Sequence, residues 1–83
     1  MKKEKWVWYA RDNTNVDIVK IYDKEPVAEG DIWIDNFDYL GHVSSFSFVR
    51  LMPVEMWPKM GQALGFKVTD MGMEKVWIIN HVK

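Results

Sequence analysis

Lys5-Trp6-Val7-Trp8-Tyr9-Ala10, then Arg11-Asp12-Asn13-Thr14-Asn15, then residues 16–22, is the stretch whose reading decides the fold. The two outer runs are rich in aromatic and β-branched residues, which suit a pleated, half-buried surface. Between them, Asp and Asn side chains bond to nearby backbone and turn the chain. This pattern predicts an antiparallel hairpin, and with it a domain built on a sheet.

Working outward, residues 23–30 contain Pro26 and four charges and read as a loop. Asp31-Ile32-Trp33-Ile34-Asp35 alternates and predicts a short third strand. Residues 36–41 read as a turn, with Phe37, Tyr39 and Leu40 tucked beneath it. In residues 42–51, Phe46 and Phe48 alternate with Ser45 and Ser47, predicting a fourth strand with one wet face. Pro58 disfavours helical geometry at Trp57. A turn over residues 53–57 and a short helix over residues 58–64 are therefore expected, with Gly65 as a left-handed stop. Met60 and Leu64, four apart, would share the core-facing stripe of that helix. Residues 66–69, then Asp70-Met71-Gly72, then residues 74–82 read as a closing hairpin. Val76 and Ile78 fall on one face of its last strand and Trp77 and Ile79 on the other. That pattern predicts a central strand, or a strand with one side covered by another molecule.

The expected architecture is one α+β domain over residues 1–83. It is a mostly antiparallel sheet of about six short strands, in the order ββββ-α-ββ, with one short helix packed on a face. A chain of 83 residues buries only about 60–65% of its unfolded surface, so its core must be efficient. The composition meets that need with 48% hydrophobic residues and five tryptophans, whose rings bury much area per residue ordered. With no cysteine, neither a disulfide nor a thiolate metal site supplements the core. Absent cysteine also fits a reducing compartment. The basic start Met-Lys-Lys-Glu-Lys resembles a secretory leader, but the apolar run that follows stops at Arg11. No window approaches a membrane span, and a cytoplasmic location is expected.

The chemistry-bearing residues do not assemble into a reaction centre. His42 stands near Ser44, Ser45 and Ser47, yet no nucleophile elbow or third partner accompanies them. His81 lies in no metal-type spacing. Gly61 and Gly65 match a Gly-x-x-x-Gly spacing without the apolar context that gives it meaning. Asp35, Asn36 and Asp38 could touch a hard cation, but self-bonding turn residues account for them better. No cofactor, metal or catalytic residue is expected, and the chain reads as a non-enzyme.

Charge is segregated. Residues 1–11 carry a net +3, and residues 12–38 set eight acids against Lys20 and Lys24. Within the acidic segment, strand geometry sends Ile32 and Ile34 to one face and Asp31, Trp33 and Asp35 to the other. With the isoleucines as the core pair, Trp33 would stand on a wet face between carboxylates, and tryptophan is enriched at binding hot spots. Glu25, Glu29 and Asp38 would add negative charge that steers a basic partner. The competing reading makes Trp33 the cover of a second, smaller cluster with Trp6, Trp8 or Tyr22. Trp57, in the Pro-bounded turn, either plugs the end of the core or projects from it.

The expected function is a protein-interaction module: a small adaptor, regulator or inhibitor presenting an acidic, tryptophan-containing surface. Its partner would be a basic or nucleic-acid-handling protein, and the acidic segment could itself imitate nucleic acid. The alternative is a single-stranded nucleic-acid binder, because Lys3, Lys5 and Arg11 interleave with Trp6 and Trp8. Self-association through the C-terminal strand is a further expectation.

Overall fold

The computed structural model describes residues 5–15 and 17–80. The first hairpin forms as expected: β1 (Lys5–Ala10) pairs antiparallel with β2 (Ile18–Tyr22), with Trp8 opposite Tyr22 and Ala10 opposite Lys20. A two-stranded ribbon follows, β3 (Ala28–Glu29) with β4 (Ile32–Trp33), turned by Gly30-Asp31. Next come β5 (Tyr39–Ser44), the one-turn helix α1 (Ser45–Phe48) and a 3-10 turn (Val54–Met56). The chain closes with the hairpin β6 (Gln62–Thr69) and β7 (Gly72–Asn80). The main sheet has five antiparallel strands in the order β5-β2-β1-β6-β7. The class is α+β, and among the described residues no helix is long and apolar enough to cross a membrane.

The register places alternate residues of the central strands on two buried faces. On the first face, Tyr9, Val19, Leu64 and Phe66 meet Phe48 and Met52 from the lid that follows β5. The Tyr9 ring lies edge-on to Phe48 at 4.9 Å and to Phe66 at 5.3 Å, the offset geometry that aromatic quadrupoles favour. On the second face, Trp8, Ala10, Tyr22 and Ala63 are covered by Trp33 of the ribbon. Trp8 needs the glycine opposite it. A Cβ on Gly65 would lie 2.6 Å from the Trp8 ring.

Three expectations are corrected. No helix spans residues 58–64. Lys59 and Gln62 close a tight turn (Gln62 N–H to Lys59 O, 2.9 Å) with Gly61 at φ +72°, a left-handed position that glycine adopts without strain. β6 then starts at Gln62, so Leu64 is buried as a strand residue while Met60 is exposed. The open edges of β1 and β7 supply partners for backbone that a lone helical turn would leave unpaired.

The helix instead occupies residues 45–48, where a strand was expected. A turn of helix sends residues i and i+2 to nearly opposite sides, so Phe46 and Phe48 part instead of sharing one strand face. Ser44 settles the choice by accepting the Ser47 amide at 3.0 Å, an N-cap. Phe48 is buried and Phe46 is exposed.

Third, of the apolar side chains in residues 36–41 only Tyr39 is tucked in, packed on the second core beside Tyr22. Phe37 is 92% exposed and Leu40 61%, while Tyr39 joins β5. β7 lies at an edge of the sheet rather than in its middle. The side-chain placement expected for Val76 and Trp77 lies outside the described residues.

Candidate functional site

Trp33 is 1% exposed, whereas Ile32 is 44% exposed. The alternation was read correctly and its polarity was inverted. The two-residue strand β4 can turn only one of the pair inward. The indole can go there because its N–H donates to the Arg11 carbonyl at 2.9 Å, so its burial strands no donor. Trp33 is thus the cover of a second cluster with Trp8 and Tyr22, not an exposed contact residue.

The acids expected around it are placed with different roles. Asp35 and the buried Asp12 flank the buried Lys20 ammonium at 3.0 and 3.1 Å. Lys20 also donates to the Trp33 carbonyl at 2.8 Å, and Asp12 accepts the Trp33 amide at 2.9 Å. Burial alone would lower the Lys20 pKa. The hydrogen bonds and charges of Asp35 and Asp12 outweigh it and hold the pKa above its usual 10.5. The nearby Tyr22 hydroxyl is buried, and its pKa is pushed well above 10.0, first by burial and then by the charges of Asp35 and Asp12. With two carboxylates sharing one ammonium, this cluster fastens the ribbon to the sheet.

Asp31 is half-buried, and its carbonyl accepts the Asn13 amide at 2.9 Å. The Asp38 amide donates to Asn36 Oδ1 at 2.9 Å, the self-bonded turn expected of this segment. Glu29 is exposed at the end of β3. Trp57 is half-buried and plugs the first core. Its indole donates to the Met52 carbonyl at 2.9 Å, and its ring meets Phe48 edge-on at 5.7 Å.

The basic and aromatic set at the N-terminus is split. Arg11 leaves β1 toward the lid, where its guanidinium donates to the Pro58 carbonyl at 3.3 Å and lies 5.8 Å from the centre of the Trp57 ring. Lys3 lies outside the described residues. Lys5, Trp6 and Trp8 stay together. Trp6 is half-buried and stacks on Trp8 with ring centres 6.3 Å apart and planes within 18°. The pair forms one wall of an open groove of about 480 Å³, whose other walls are Lys5 and the Asp23-Lys24-Glu25 loop.

Sequence reading offers Glu25 as a surface acid but not Asp23 and Lys24 beside it, because the position of this loop against Trp6 depends on how β2 departs from the sheet. Asp12 and Lys20 were also missed as a pair. The available signal was a lysine sharing a strand face with Ile18 and Tyr22, where an unpaired charge would be costly.

No family model matches this chain, no curated protein matches its sequence, and no solved structure matches its fold.

Proposed function

We propose that this chain is a non-enzymatic interaction module whose contact surface is the Trp6–Trp8 groove. One observation carries the reading: a half-buried tryptophan, stacked on a buried one, walls an open groove with a charged rim. Such a ring supplies contact area at little conformational cost. The rim sets Asp23 and Glu25 beside Lys5 and Lys24, a balance suited to a protein surface of mixed charge. The absence of cysteine is compatible with the cytoplasm as its place of action.

Single-stranded nucleic acid is the second reading, favoured by Lys5 beside the stacked pair. It ranks lower because two rim carboxylates oppose the phosphate charge that dominates such binding. One comparison separates the two. The wild-type chain and Trp6→Ala are used to capture proteins from lysate treated with nuclease, and both are titrated with oligothymidylate while tryptophan emission is followed. Protein partners retained by the wild type and lost with Trp6→Ala support the module. Salt-sensitive quenching by the oligonucleotide supports the second reading. Capture unaffected by Trp6→Ala removes the groove as the contact surface.

A further inference from the structure

We infer that β7 is a self-pairing edge, through which two copies of this chain join their sheets into one antiparallel sheet. Among the described residues, nothing hydrogen-bonds to the outer side of β7, the outermost strand on its side of the sheet. It is nine residues long, and an edge of that length presents a row of backbone donors and acceptors ready to pair. The opposite edge strand, β5, is shorter at six residues and ends where the chain turns into α1.

The occupant and its register follow from the order of residues along β7. An antiparallel edge is complementary to itself through a two-fold axis normal to the sheet, and residues on one face must then lie opposite residues on the same face. Registers centred on Glu74 or Lys75 set like charges directly against each other, which is destabilising. A register centred on Ile78 places Ile78 opposite its own copy, Trp77 opposite Ile79 and Val76 opposite Asn80, and keeps Lys75 away from its own copy. Ile78 is 52% exposed in the single chain, so it has surface to bury there. Like-charge exclusion and apolar matching thus select the C-terminal half of the strand.

The chain contains no cysteine, which makes the register directly testable. Directly opposed residues in an antiparallel pair have Cα atoms about 4.5–5.5 Å apart, within disulfide range. Full-length Ile78→Cys under mild oxidation is expected to give at least ten times more covalent dimer than Lys75→Cys. The unaltered chain provides a control independent of any variant. Sedimentation should show a concentration-dependent dimer, and backbone amides of residues 73–80 should exchange more slowly at high concentration than at low. Cross-linking that favours Lys75→Cys would overturn the register. A chain that stays monomeric at several hundred micromolar, with exchange in β7 independent of concentration, would overturn the pairing itself.

Discussion

The two faces of the sheet are closed by different physics. The lid face is closed mainly by shape: Phe48, Met52 and Trp57 fill the surface made by Tyr9, Val19, Leu64 and Phe66, with Arg11 reaching the Pro58 carbonyl at its margin. The ribbon face is closed by one large ring and a paired charge. Trp33 covers Trp8 and Tyr22, and Lys20 with Asp12 and Asp35 holds its backbone in place. A two-residue strand cannot fix itself on a sheet through its own ladder. Where few backbone bonds are available, directional side-chain bonds to Trp33 replace them. The ribbon also covers only part of its face, leaving the Trp6 end open as the groove.

The largest expected effect is at Trp33. Trp33→Ala removes the cover of the ribbon face and should cost about 3–5 kcal/mol, read as a shift in the urea midpoint. Phe48→Ala on the lid face should cost a similar amount. A ribbon-face loss far below that of the lid would show that the ribbon is not integral to the fold.

Lys20→Met leaves Asp12 buried without its cation and should cost about 3 kcal/mol. The double variant Asp12→Asn/Lys20→Met should be less damaging than the sum of the two single changes. Strict additivity would mean the three charges do not act as a unit.

Gly65→Ala should cost about 2–3 kcal/mol by forcing the Trp8 ring from its place. A neutral result would show that the ribbon face tolerates repacking.

Alkali should weaken both faces: burial raises the Tyr9 pKa on the lid face, and the ribbon face holds two raised groups. The folded pKa of Tyr22 lies above its usual 10.0 and that of Lys20 above 10.5. Their contributions are fully present below those unfolded values and are lost as pH rises through the folded ones. Denaturation midpoints should therefore fall above pH 10, and Tyr22→Phe should flatten the fall while leaving the chain folded at pH 7. Equal curves for the two proteins would exclude Tyr22 as a source of the effect.

The smallest effect is expected at the exposed Phe46. Phe46→Ser should change stability by no more than about 0.5 kcal/mol, which makes it a fitting control for Trp6→Ala in binding experiments.

The sequence by itself determined the antiparallel hairpins, the α+β class and the parity of the Ile32-Trp33-Ile34 alternation. Those features rest on side-chain period and turn chemistry, which act between near neighbours along the chain. It also offered a second cluster around Trp33 as one of two readings. Only the tertiary structure decided which side of that alternation faces inward, because the answer depends on the Arg11 carbonyl and on Asp12, twenty-two and twenty-one residues away. It likewise decided that residues 62–65 extend as strand, since β1 and β7 supply partners on both sides. The four tryptophans whose side chains are described divide on the same ground. A sequence states that they bury area, and only the position of distant backbone states which indole finds an acceptor inside and which ring is left at a groove.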